Sequence, residues 1–148
     1  MKTRAAIAAL ALGLAFVVNA CGGGGSSADV KASLKEFSVT LDPREHKAGS
    51  ISIDADNTGS IQHEFVVVKA KDAAALPLNA DGSVNEDKIA KADQLGEMED
   101  IAAGKSKSHT FKLPAGDYVM FCNVVNEKKD APPVVHFKEG MHETFTAT

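Results

Sequence analysis

The chain has 148 residues, with 16 Lys and Arg against 20 Asp and Glu for a formal charge of −4. That balance argues against nucleic acid or an anionic surface as a partner, and the length suits one domain around one core. No internal repeat is visible, and the glycine run at 22–25 follows no strand and opens no helix, which excludes a phosphate-binding loop.

Residues 1–20 read as a secretory signal peptide. Lys2 and Arg4 precede an apolar run from Ala5 to Val18 that is too short and too rich in Ala to be a spanning helix. The tetrapeptide Val18–Asn19–Ala20–Cys21 resembles a bacterial lipobox, which implies that the mature chain starts at a lipidated Cys21. Residues 21–29 then form a Gly/Ser tether, and residues 30–148 form the domain. Cleavage leaves 14 basic residues against the same 20 acidic ones, a charge of −6. The expected location is the extracytoplasmic face of a bacterial membrane, held by the lipid. In that oxidising compartment an acylated Cys21 leaves Cys122 without a partner, so its thiol is inert, reactive or bound to a metal.

Alternating apolar residues predict strands at 34–41, 51–57, 63–70, 108–113, 118–124 and 142–147. The stretch at 63–70 is more continuously apolar and reads as an inner strand. Pro114–Ala115–Gly116 joins two strands at hairpin distance. Residues 71–104 break the pattern, and Asn85, Glu86, Asp87 and Gly96 predict a two-turn helix with Ile89 and Ala92 facing inward. The expected fold is all-β, a Greek-key β-sandwich with a short helical insertion.

On the strand ending at 122, alternation puts Tyr118, Met120 and Cys122 on one face and Val119 and Phe121 on the other. His136 and Met141 follow in the next connection and can fold back to the sulfur. His63, opening the inner strand, is the best placed second histidine. Two His, one Cys and a weak axial Met form the ligand set of blue-copper electron-transfer sites, because thiolate and thioether suit Cu(I) while imidazole serves both oxidation states. Zinc prefers four strong ligands, and a thioether is a poor one.

Residues 57–67 (NTGSIQHEFVV), 113–123 (LPAGDYVMFCN) and 136–147 (HFKEGMHETFTA) resemble the corresponding segments of the cupredoxins, the plastocyanin-like and sulfocyanin-like small copper proteins. The resemblance spans nearly all of residues 32–148. It implies one type 1 copper with His63, Cys122 and His136 as equatorial ligands, Met141 as the axial one, and the Glu64 N–H bonded to the cysteine sulfur. The chain departs from the family in placing 13 residues between Cys122 and His136 and in lacking the usual Pro-Gly before that histidine. A loop of that kind can bulge outward at little entropic cost.

Taken singly, each ligand has a structural alternative. His142 is the rival in its loop, Met98 and Met120 read as core, and His46 and His109 read as structural or solvated. The expected function is a monomeric, non-enzymatic carrier of single electrons between redox protein partners. The alternative is copper storage, delivery or resistance on the same residues. A Cys122 nucleophile with a histidine base is a weaker reading, since the cysteine ends an apolar strand and Met141 would have no role. A metal-free sandwich serving as an interaction module is the remaining one.

Overall fold

A computed structural model of the chain describes residues 27–148, and the expected signal peptide and lipidated Cys21 lie outside them. Eleven strands follow in order: β1 (Val30–Lys35), β2 (Ser38–Asp42), β3 (Glu45–His46), β4 (Gly49–Asn57), β5 (His63–Lys69), β6 (Gln94–Ile101), β7 (Ser106–Leu113), β8 (Gly116–Phe121), β9 (Val125–Lys128), β10 (Ala131–Val135) and β11 (His142–Ala147). One sheet has the order β2-β1-β4-β7, the other β3-β11-β8-β5-β6, and β9 and β10 form a separate hairpin. Both large sheets are mixed, since β1 runs parallel to β4 and β11 parallel to β3. Among the described residues no helix is long and apolar enough to cross a membrane.

The sandwich interior collects Leu34, Ile51, Ile53, Phe65, Phe111, Leu113, Tyr118, Met120 and Phe145, with Met98 at its edge. A second apolar layer, Val66, Val68, Val119 and Phe121, lies on the outer face of the second sheet. Leu76, Val84 and Ile89 from the 71–104 segment and Phe137 cover it. Strands β5 and β8 are therefore buried on both faces, which accounts for their nearly unbroken apolar runs.

Three expectations change. The stretch 34–41 is not one strand but parts of two, because the chain reverses at Glu36–Phe37 and pairs Lys35 with Ser38. Pro114–Ala115–Gly116 is a crossover rather than a hairpin, since β7 pairs with β4 in one sheet and β8 with β5 and β11 in the other. The Tyr118 hydroxyl donates to the Pro114 carbonyl and fixes that corner.

The 71–104 segment does carry helical turns, but they are three-residue 3₁₀ turns at Ala73–Ala75 and Glu86–Lys88 in place of a two-turn helix. The Gln94 amide donates to the carbonyls of Glu86 and Ile89, which a continuing helix would have needed. Asn85 makes no side-chain cap, bonding Asn79 instead. Residues from Gln94 onward pair with β5 as β6, so sheet pairing takes the place of the helix.

Candidate metal centre

Three adjacent strands of the second sheet bring the predicted ligands to one end of the sandwich. His63 opens β5, Cys122 follows β8 directly, and Met141 directly precedes β11. Phe121 faces Val66 on one side and His142 on the other, so the register itself sets Cys122 between the two neighbouring chain segments. The Cys122 N–H donates to the Met141 carbonyl at 3.0 Å, and the Met141 N–H to the His136 carbonyl at 3.1 Å. All four side chains are fully buried.

The side chains of His63, Cys122 and His136 present their donor atoms within 4.8 Å of one another. Nδ1 of His63 lies 3.1 Å from Nδ1 of His136. The sulfur lies 3.8 Å from the first and 3.3 Å from the second. The Glu64 N–H donates to the sulfur at 3.4 Å, as the family resemblance implies. A first-row ion bonded at about 2.0 Å to nitrogen and about 2.3 Å to thiolate holds its nitrogens roughly 3–3.5 Å apart and its sulfur roughly 3.5–3.7 Å from each. The observed spacings match within a few tenths of an ångström, so the residues present fit such an ion.

Electrostatics at the cluster favour neutral groups until a cation arrives. Burial pushes the Cys122 thiol up to about 11. Burial also lowers His63, and burial together with the neighbouring His63 lowers His136 to about 4. Both imidazoles are thus neutral at pH 7, the form that binds metals. Burial raises Glu64 to about 7, against the Asn123 N–H that its carboxylate accepts at 2.8 Å.

His136 does not reach the surface. Its Nε2 meets the Asn126 side-chain amide at 2.6 Å, and Phe37 lies against its ring with centroids 5.0 Å apart. The insertion that carries Asn126 is the β9–β10 hairpin, folded over the histidine edge. Its bulge between Ala131 and Val134 accommodates Pro132 and Pro133, which have no N–H for the ladder. His142 packs on Phe137 and stands outside the cluster. His46 bonds the Lys47 carbonyl and His109 meets Phe111 edge to face, and neither belongs to the cluster.

The fold has solved counterparts. Dithionite-reduced auracyanin from Roseiflexus castenholzii aligns with a TM-score of 0.53 at 23% identity, over 80% of this chain and 94% of its own. Auracyanin A from Chloroflexus aurantiacus, described as a blue copper protein, aligns with a TM-score of 0.51 at 20% identity, over 80% and 96%. An azurin from Methylomonas sp. strain J aligns with a TM-score of 0.50 at 16% identity, over 83% and 99%. The chain has the cupredoxin fold. Its His–Cys–His cluster fits the type 1 copper site of that fold. No family profile matches the sequence, and no curated protein does.

Three cupredoxin-site residues escaped the sequence reading: Glu36, Phe37 and Asn126. The first two lie in the turn between β1 and β2, hidden inside what read as one strand. Asn126 lies in the insertion, where nothing local marks it as a histidine partner.

Proposed function

We propose that this protein is a lipid-tethered, extracytoplasmic type 1 copper protein that carries single electrons between redox partners and catalyses no reaction of its own. His63, Cys122 and His136 would hold the metal, with Met141 as the weak fourth ligand. The carrying observation is the convergence of two histidine Nδ1 atoms and one cysteine sulfur in a buried, preformed cluster. Bound there, copper supplies a Cu(I)/Cu(II) couple. The protein holds its ligands in position through the sheet, so that little rearrangement accompanies the change of charge. Its apolar walls keep water out, and the Glu64 N–H steadies the thiolate.

Burial also favours electron transfer over copper delivery. Handing a metal to another protein requires ligands that a partner can reach, whereas an electron needs only a short path. All four side chains are sealed from solvent, and the His136 edge meets Asn126, which is only partly buried.

The test is the visible and EPR spectrum of the full chain titrated with Cu(II), beside Cys122→Ser. An intense thiolate-to-copper band at one equivalent, lost in the variant, is the expected result. A colourless protein, or equal binding without the thiol, would sink the reading. Slow, irreversible redox cycling would leave the carrier of copper in its place.

A further inference from the structure

The tip of the β1–β2 hairpin touches both histidines of the cluster. Phe37 rests on His136, and Glu36 brings Oε1 to 3.7 Å from Nε2 of His63. That nitrogen is buried and has no hydrogen-bond partner among the described residues. Leaving a buried polar group unpaired is costly. The nearest anionic atom is the Glu36 carboxylate.

Glu36 is held in place rather than free to swing away. Its Oε1 accepts the Ser60 N–H at 2.6 Å, the Ile61 N–H at 2.9 Å and the Ser60 hydroxyl at 3.3 Å. A Cβ at Gly59 would stand 2.6 Å from the same oxygen, so a larger residue there would displace the carboxylate. The buried Asn57 side chain braces the loop from the other side. It donates to the carbonyls of Ile61 and Ile101 at 2.7 and 2.8 Å, and it accepts the Gly59 N–H at 2.9 Å. The loop so fixed runs directly into His63, which ties the carboxylate and the imidazole to one frame.

The tautomer follows from the geometry. Nδ1 of His63 is the atom that faces Cys122 and His136, so committing it to a metal leaves the ring hydrogen on Nε2. The oxygen nearest that nitrogen among the charged groups is the Glu36 carboxylate, at 3.7 Å. A carboxylate behind a metal-bound histidine fixes the ring and makes it a stronger donor. A stronger donor favours the more highly charged of two oxidation states.

We propose that Glu36 is a positioning residue of this centre, taking the Nε2 hydrogen of His63 and thereby holding the reduction potential down. The inference rests on the copper reading above and adds the residue that tunes it. The experiment compares copper-loaded full-length wild type with Glu36→Gln, which keeps the shape and removes the charge. Visible spectra, redox titrations and ¹⁵N–¹H spectra of the histidine rings in the diamagnetic Cu(I) form supply three separate readouts.

The thiolate band is expected in both proteins. The variant should shift the Cu(I)/Cu(II) ratio at a fixed applied potential about tenfold toward Cu(I), equivalent to about 59 mV upward. In wild type, the His63 Nε2 proton should exchange with solvent far more slowly than ring protons of the more exposed His46 and His109. That measurement stands even if the variant does not fold. An unchanged potential beside an intact band, or a freely exchanging His63 Nε2 proton, would overturn the role of Glu36 alone. A wild-type protein with no thiolate band would overturn the copper reading, and this inference with it.

Discussion

Cys122 must lose its proton before it can bind a metal, and its burial, which pushes the thiol up to about 11, makes that loss costly. The histidines make no such demand at neutral pH, being already neutral, with His136 lowered to about 4 by burial and by His63. Between pH 6 and pH 9 the proton exchanged by the ligands therefore comes from the thiol. Apparent Cu(II) affinity should rise about tenfold for each pH unit, one proton's worth. Glu64, raised to about 7 by burial, adds a fraction of a second proton when the positive charge of the metal favours its carboxylate form. Calorimetry in buffers of different ionisation enthalpy should thus give between about one and two protons released at pH 7 in wild type, and about one in Glu64→Gln. A steeper dependence below pH 6.5, approaching three protons, would show that the histidines titrate at ordinary values and that the pocket is wetter than its geometry implies.

Asn126 shows what one inserted element does to the site. As placed, its amide nitrogen faces Nε2 of His136. With Nδ1 committed to a metal, Nε2 carries the hydrogen and donates, so the amide turns to present its oxygen. The β9–β10 hairpin then both fixes the ring and shields it. Asn126→Ala is expected to keep the thiolate band, to weaken Cu(II) binding about tenfold, as loss of a ligand's outer partner commonly does, and to speed electron exchange with a small inorganic oxidant by opening the ring edge. Unchanged exchange would mean that electrons leave elsewhere. Such elements mark the boundary of what the sequence discloses. The strands 49–57, 106–113 and 142–147 were legible because one buried face imposes a period of two, and 63–69 and 116–121 because burial on both faces leaves a nearly unbroken apolar run. The turn at Glu36–Phe37 was not: the inward residues change parity across it, from Leu34 to Val39 and Leu41, but Phe37 keeps the spacing of two with Val39 and Leu41 and masks the break. Strand β6 was hidden because only Met98 and Ile101 in it are buried, among glycine and acidic residues. Cys122, His136 and Met141 announced themselves by type and order. Glu36, Phe37 and Asn126 act across distances of 10 to 99 residues only through the fold, and local patterns do not carry that.

At the scale of the whole molecule, the cluster is assembled by the sheet and not by the ion. The strand order β11-β8-β5 sets three chain segments side by side, and backbone hydrogen bonds tie Cys122 to Met141 and Met141 to His136. The donor atoms already stand 3.1 to 3.8 Å apart. Zinc-finger domains, by contrast, fold only when metal draws their ligands together. Removing copper should therefore leave the sandwich folded, with far-ultraviolet circular dichroism unchanged. Loading should add stability by mass action, about 4 kcal/mol at a thousandfold excess over Kd. For a domain of this size that raises Tm by about 10–20 °C. Cys122→Ser should lose most of that gain while melting near the wild-type metal-free protein, because a hydroxyl fills nearly the same space at the end of β8 and the sheet does not depend on the thiolate. Metal-free wild type that unfolds on chelation would show instead that the ion holds the three segments together, and the preformed pocket would no longer explain how the charge of the centre changes with little rearrangement.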